Sequence, residues 1–481
     1  MNNNGKYKYL VNNTLLFAVS SFGTKIMTFL LVPLYTNILS TSDYGIADVI
    51  STTVGLLLYI LTLNISSAVL RFAIRDSENK ERYLKFGLKI LSIGFVILFF
   101  VVLVVWLLKI IDCPNYCFVL FLFIYIATVS NDLLSNYLRA INKIKSVAIA
   151  GVLITMSTIS FNILFLVIFK WGLYGYLLSL FLGQFISCVY CTIVINPIYA
   201  IGSNKSIDKK TKINMLVFSV PLIFNGVGWW INLNLDKYFI IWILGVAENG
   251  IYSVASKIPA ILSSFSGIFS QAWLLSAIKE YDEEEDERFF TNIFSVYNLV
   301  VIGTSYILIC FNDVISRFMY GVEFIQAKEY TCILVVATAF SCLSGFLGSI
   351  YSAMIKTKII AYSTVFSSIV NFALNCVLIP QYKLYGAAFA TLVSFFAIYL
   401  QRLFFLEGHK ELKRKGIKYL LADGLLIMQV IIREKINISS NIYLQLLFIP
   451  IYILIFKKEI KFLAQIICNI IKERLAMKRQ S

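Results

Sequence analysis

Histidine occurs once, at position 409, and charged side chains make up only 14% of the 481 residues. One histidine in a basic segment excludes a multi-histidine metal centre. So little charge excludes an ordinary soluble enzyme, in which about 25% of residues are charged and about 45–50% apolar. No GxxxxGK[ST] stretch is present, which excludes nucleotide hydrolysis through a P-loop. The nine cysteines are scattered, mostly through apolar runs, and read as small core residues. Cys188-Val-Tyr-Cys191 has the CxxC spacing but lies inside a hydrophobic span. Cys113 and Cys117 flank an outer loop, where they are close enough in sequence to pair.

Hydrocarbon is what the chain has in excess: 59% of it is apolar. A compact soluble core cannot hide that amount, so the surplus must face lipid. A helix crosses a hydrocarbon core of about 30 Å with about 20 residues. Runs of that kind predict twelve spans, at about 11–38, 45–70, 84–108, 116–138, 146–169, 173–195, 213–243, 250–275, 289–311, 330–355, 359–379 and 384–406. Two weaker runs follow at about 417–432 and 441–456, the first carrying Asp423. The expected fold is an all-α polytopic membrane protein of about fourteen spans. The apolar–polar alternation of spanning strands is missing. The first run is too long for a cleavable signal peptide and carries Lys25 in its middle.

Lysine and arginine number 42 against 26 acids, a net charge of +16. That excess suggests nucleic acid until its placement is read. Thirty-two of the basic residues fall on the side of the termini and the even-numbered loops. Seven fall on the other side (Lys109, Lys170, Arg317, Lys328, Lys383, Arg433 and Lys435), and Lys25, Lys237 and Lys257 lie inside spans. This is the positive-inside pattern, with anionic-lipid contacts, and no nucleic-acid partner is expected. Both termini are expected on the cytoplasmic face of a multi-pass bacterial cytoplasmic (inner) membrane. The acidic run 282–287 reads as a solvated charge run. The tail 459–478 reads as an amphipathic helix in the membrane surface.

The chain also repeats itself. Leu39, Gly45 and Ile46 align with Leu244, Gly250 and Ile251. Asn-Lys-Ile-Lys at 142–145 aligns with Ile-Lys-Thr-Lys at 355–358, and Leu173-Tyr174-Gly175 with Leu384-Tyr385-Gly386. Six spans per copy is an even number, so the copies run parallel. The expected organisation is a six-helix bundle over 1–200, a second over 201–406, and two further spans with the tail over 407–481. Paired bundles of this kind suggest one half moving against the other around a central V-shaped cavity.

Polar residues inside spans are costly and mark wet or protein-lined interiors. The second span carries Asp48, Thr52, Tyr59 and Ser66 on one face, and the eighth carries Ser253, Lys257, Ser264 and Gln271 at the repeat-related positions. The first span carries Thr14, Ser21, Lys25 and Thr28. The seventh carries Asn225, Asn232 and Asp236, with Lys237 adjacent. Helix–helix contact and ion pairing are the structural alternatives for these groups. The functional reading is a cationic cavity lined by Lys25, Asp48, Asn225, Asn232, Asp236, Lys237 and Lys257. Lysine binds phosphate as a point charge, which suits an anion that must also leave. Arg71 and Arg139 stand at cytoplasmic ends, as topological anchors or as contacts for an entering headgroup. Asp132 reads as a buried contact or a partner of Arg139, with a coupling proton as the alternative.

Three segments carry a resemblance. They are Pro33-Leu-Tyr-Thr-Asn-Ile-Leu-Ser-Thr-Ser-Asp-Tyr-Gly45, Leu235-Asp-Lys-Tyr-Phe-Ile with Asn249-Gly-Ile-Tyr-Ser-Val-Ala-Ser-Lys257, and Leu374-Asn-Cys-Val-Leu-Ile-Pro-Gln-Tyr382 with Tyr385-Gly-Ala-Ala388. Over about 1–406 the chain resembles polysaccharide-repeat-unit flippases of the Wzx type, in the multidrug/oligosaccharidyl-lipid/polysaccharide exporter superfamily. The resemblance implies a non-enzymatic flippase working by alternating access. Its cargo would be an undecaprenyl-diphosphate-linked oligosaccharide for O-antigen of lipopolysaccharide, capsule or exopolysaccharide, moved from the cytoplasmic to the outer leaflet. It implies Lys25, Lys237 and Lys257 as the diphosphate contacts. Position 237 is often arginine in the family, so lysine here departs from bidentate recognition. No cofactor is expected. Coupling to a proton gradient, a sodium gradient or the membrane potential stays open, as does partnership with the polysaccharide polymerase machinery. A flippase for the peptidoglycan lipid precursor, a drug-cation pump and a membrane polysaccharide polymerase are the other readings.

Overall fold

The computed structural model describes residues 14, 29–76, 79–195, 207–283, 287–354, 356–435, 445 and 447–465. These are helical almost throughout. Most of the first expected span, Lys25, the linker 196–206, residues 284–286 of the acidic run and the tail beyond 465 lie outside them. Among the described residues nine helices are long and apolar enough to cross a membrane.

The chain forms two compact units. One is Ile26–Tyr238, and the other joins Met1–Lys25 to Phe239–Ser481. The first contains α1 (Val32–Ile38), α2 (Thr41–Ile60), α3 (Ile65–Arg75), α4 (Lys80–Leu107), α5 (Asn115–Ala140), α6 (Ile144–Asn162), α7 (Gly172–Ile195) and most of α8 (Lys209–Ile243). Local chemistry sets the helix starts. Ser40 caps α2 by accepting a hydrogen bond from the Asp43 amide at 3.1 Å, and Asp208 accepts from the Thr211 amide at 3.0 Å ahead of α8, each answering an otherwise orphaned donor. These bonds from Thr211 hold the Asp208 carboxyl below the usual carboxylate range.

In this unit one expected span is not continuous. The second breaks between α2 and α3, where Leu63 and Asn64 take positive φ of 52° and 48°, a conformation that ends right-handed helix. Ser66 therefore lies beyond the break, off the straight face expected with Asp48, Thr52 and Tyr59. It contributes instead a hydrogen bond to Asp132, which also accepts from Asn136 at 3.1 Å. The fifth span ends in a π-helical turn, Ile163–Ile168. The interior of this unit is closed by polar contacts between helices. Ser179 donates to Asn162 Oδ1 at 2.6 Å, and Asn162 donates to the Tyr35 hydroxyl at 3.1 Å. Asn131 joins Gln184 at 2.9 Å and Ser187 at 3.0 Å. Cys113, Cys117, Cys188 and Cys191 are all free thiols, so neither spacing forms a disulfide.

The second unit contains α9 (Val246–Ala255), α10 (Lys257–Glu283), α11 (Glu287–Cys310), α12 (Asn312–Met319), α13 (Ala327–Ala353), α14 (Thr357–Phe404), α15 (Lys410–Lys435) and α16 (Phe448–Ile455). The expected eighth span is split at Ser256. The ring of Pro259 cannot coexist with a normal helical bond at the Ala255 carbonyl, and Thr331 Oγ1 donates to that carbonyl at 3.3 Å. The eleventh and twelfth spans are the two arms of α14, turned at Lys383 (φ 52°). Lys170, at the equivalent turn between the fifth and sixth spans, has φ 55°. The recurrence of this left-handed lysine extends the sequence repeat to backbone conformation. The weak span at 417–432 is the centre of a 26-residue helix, about 39 Å long at 1.5 Å per residue. His409 is not in an open basic loop but buried, with its ring 5.2 Å from that of Phe290. Arg433, assigned to an outer loop, is buried within α15 and pairs with Asp313 at 2.9 Å. The core is aromatic: Trp273 stacks on Phe346 at 4.6 Å between ring centres, and Phe269 on Tyr297 at 4.9 Å.

Candidate functional site: a charged seam between α2 and α8

Within the first unit, α8 lies antiparallel along α2 and α3. Its residues meet descending positions on the partner as they ascend. Ser219 reaches the Asn64 carbonyl at 3.4 Å. Gly226 faces the Tyr59 ring so closely that any Cβ there would run into it. Trp230 Nε1 donates to the Thr52 carbonyl at 2.9 Å. The Tyr238 and Thr53 hydroxyls are 2.7 Å apart. At this end Lys237 Nζ lies 3.1 Å from Asp48 Oδ1 and 3.0 Å from Oδ2. The two side chains are only 11% and 10% exposed.

Of the contacts on α8, Ser219, Gly226, Trp230 and Lys237 recur at spacings of seven and four, which places them on one stripe. The expected polar face, Asn225, Asn232 and Asp236, lies one residue earlier and so about 100° round the helix. Asn225 is exposed, and Asn232 is buried and donates to the Gly228 carbonyl at 3.2 Å. Asp236 is buried and accepts from the Lys237 amide at 3.0 Å. Tyr59 belongs to the expected polar face of the second span, whereas Trp230, Tyr238 and Thr53 are not on any expected face. Small Ser219 and Gly226 ahead of broad Trp230 are the signal for the α8 stripe, and the sequence holds no comparable signal for Tyr238 or Thr53.

The remaining expected residues are distributed as follows. Lys257 opens α10 in the other unit and is half-buried. Lys25 lies outside the described residues. Arg71 is exposed on α3, with its guanidinium 4.4 Å above the Phe218 ring. Arg139 is exposed in the last turn of α5 and reaches Asn136 Oδ1 at 3.5 Å. The structure therefore brings Asp48 and Lys237 together. Among the described residues no group of three or more His, Cys, Asp or Glu is arranged to hold a metal ion.

An amine and a carboxylate held at about 3 Å in a nearly dry seam attract strongly, but both carry a desolvation cost. A lysine ammonium is a mobile point charge on a flexible stem. Chemically, the seam is an ammonium paired with the Asp48 carboxylate.

The profile of the polysaccharide biosynthesis proteins matches residues 10–275, more than half of the chain and all of the seam. The chain belongs to that family. It is also similar to the probable low-salt glycan biosynthesis flippase Agl15 of Haloferax volcanii, 26% identical over 245 residues, which cover 48% of this chain and 51% of that protein. The match thus spans about half the length of that relative. Among solved structures, the chain is similar to the lipid II flippase MurJ in an inward closed conformation. The TM-score is 0.68 at 15% identity, covering 94% of this chain and 99% of that one. It is similar too to a multidrug resistance MATE family transporter of the MOP superfamily in an inward-facing conformation. There the TM-score is 0.66 at 12% identity, with coverage of 87% and 98%. The fold of this family member is accordingly that of the polytopic transporters of that superfamily.

Proposed function

We propose that the protein is a flippase for a lipid-linked oligosaccharide. In this reading it carries an undecaprenyl-diphosphate-linked repeat unit of O-antigen, capsule or exopolysaccharide from the cytoplasmic to the outer leaflet by alternating access. It would sit in a bacterial cytoplasmic membrane with both termini inside, and no bond of the cargo would be made or broken. The six-plus-six division of the spans, with two further helices, belongs to this proposal.

The observation that carries the reading is Lys237. An ammonium is retained in a membrane-spanning helix, nearly dry, with a carboxylate as its partner. A diphosphate bears more negative charge than Asp48 and offers more acceptor oxygens, so it competes for the same ammonium without a change of fold. Release needs only the return of Asp48, which is why a lysine suits transit better than a bidentate arginine clamp. Lys25 and Lys257 are proposed as further phosphate contacts. Asn225, Asn232 and Asp236 are proposed to line the route, and Arg71 and Arg139 to receive the headgroup at the cytoplasmic side. Family membership and the likeness to a glycan biosynthesis flippase support a glycan cargo.

The test uses sealed vesicles containing the full-length protein and two fluorescent cargoes. Protein-dependent transfer of the undecaprenyl-diphosphate oligosaccharide is expected. Cells depleted of their peptidoglycan flippase should not be rescued. Rescue of those cells without oligosaccharide transfer would replace this reading with a peptidoglycan-precursor flippase.

A further inference from the structure

The short helix α12 and the tight turn after it (Val322–Phe324) join α11 to α13. Burial along this connector is the reverse of what a water-facing helix shows. At about 100° per residue, Asn312, Ser316 and Met319 share one face of α12, and all three are buried. Asn312 Nδ2 donates to the Lys328 carbonyl at 2.9 Å, and Ser316 Oγ donates to Asn312 Oδ1 at 3.1 Å. Asp313 pairs with Arg433 at 2.9 Å and with Lys328 at 3.7 Å. The Tyr320 and Thr331 hydroxyls are 3.1 Å apart. Polar contacts thus fix the segment to α13 and α15. The opposite face is apolar and open. Val314 and Phe318 are 62% and 70% exposed, and Val322 beyond them is 90% exposed. Arg317 is exposed beside Val314 and Phe318.

The open stripe does not begin at α12. Val300, Ile307 and Phe311 are exposed along α11 and at its end, and Val314, Phe318, Val322 and Ile325 continue the row at steps of three or four residues. With 24 residues, α11 is about 36 Å long at 1.5 Å per residue, which already exceeds a hydrocarbon core of about 30 Å. The connector therefore stands past that core. We propose that α12 lies in the headgroup interface of the membrane, with Val314, Phe318 and Val322 among the upper acyl chains and the Arg317 guanidinium on phospholipid phosphate. Continuity with the lipid-facing stripe of α11 selects a lipid surface over a protein partner. Size does the same: the five exposed apolar side chains from Phe311 to Ile325 are far fewer than the roughly 20–30 residues a side of a stable protein interface. An apolar helix face bordered by a basic residue is the pattern of interfacial helices. The stem of Arg317 lies along such a face while its charged head reaches phosphate. None of the residues of the α2–α8 seam is involved, so the inference does not depend on the cargo proposed above.

The experiment is photo-crosslinking of the full-length protein in vesicles of radiolabelled phosphatidylethanolamine and phosphatidylglycerol, without lipid-linked sugar. The photoreactive residue p-benzoylphenylalanine replaces Phe318, Val314 or, as the lipid-facing reference on α11, Ile307. Positions 318 and 314 are expected to form phospholipid adducts as abundantly as position 307. Arg317→Gln, combined with the probe at 318, should lower the share of anionic phosphatidylglycerol among the adducts by about fivefold, the worth of one basic residue at a membrane surface. Lipid adducts at 307 but not at 318 or 314 overturn the proposal, because the face then meets water. So does a crosslink from 318 to a second copy of the chain in place of lipid. An unchanged phosphatidylglycerol share in Arg317→Gln overturns the phosphate contact.

Discussion

Lys237 and Arg402 are both cations buried in membrane-spanning helices, and the two compact units hold them in opposite ways. Lys237 is partnered by a carboxylate, with Nζ 3.0 Å from Asp48. Arg402, fully buried, spends its guanidinium on neutral groups: Nε on Ser363 Oγ at 3.0 Å, one terminal nitrogen on the Ser344 carbonyl at 2.9 Å and the other on Thr364 Oγ1 at 3.0 Å. Its own carbonyl accepts from Tyr351 at 2.7 Å. The planar fork fixes three helical segments against one another, and each bond has a set direction. The ammonium pairs with a carboxylate, Asp48, among the described residues. The arginine is therefore held as a fastener, whereas the lysine is held by a single ion pair to Asp48. A buried charge in a span is thus not by itself a mark of function; the kind of partner decides.

The comparison breaks most visibly at Arg402. Arg402→Leu strands a hydroxyl pair and a carbonyl in a dry interior. It should lower the stability of the detergent-purified protein by about 3 kcal/mol or more, read from thermal unfolding. Arg402→Lys keeps the charge but not the fork, and should recover only a minor part of that loss. Asp48→Ala comes next. It leaves Lys237 without its carboxylate, and because the pair keeps slight exposure the expected cost is about 2 kcal/mol rather than the larger penalty of a sealed pair. Combining Asp48→Asn with Lys237→Gln should be milder than Asp48→Ala alone; a worse double variant would show that the pair is a fastener too. Gly226→Ala drives a methyl into the Tyr59 ring across the seam, at an expected cost of about 1–2 kcal/mol. The smallest effect belongs to Trp230→Phe, which keeps a ring but removes the bond to the Thr52 carbonyl, about 1 kcal/mol by the same assay.

Hydropathy alone located the long helices, because lipid forces apolar residues to every outward face. It could not show where helices break. Leu63 and Asn64 interrupt the second span without any loss of apolar character. At Ser256 the signal was present in Pro259 but was outweighed by the surrounding apolar run. Arg402 was counted as one more positive charge at a span end, since the rule that orients helices counts charge and not the direction of a side chain. At the seam, Asp48 and Lys237 were both legible as costly intramembrane charges. Their pairing was not, because it depends on α8 lying against α2. Polarity drew attention to Asn225, Asn232 and Asp236, whereas the contact stripe is marked by shape: small Ser219 and Gly226 beside broad Trp230.

The most direct test of the account is the initial rate at which vesicles transfer a fluorescent undecaprenyl-diphosphate oligosaccharide, compared between wild type and the combined Lys25→Gln, Lys237→Gln and Lys257→Gln variant. The account predicts a fall of at least about tenfold, the equivalent of roughly 1.4 kcal/mol of lost phosphate contact, with Lys237→Gln alone giving the largest share. An unchanged rate in a folded triple variant would contradict it.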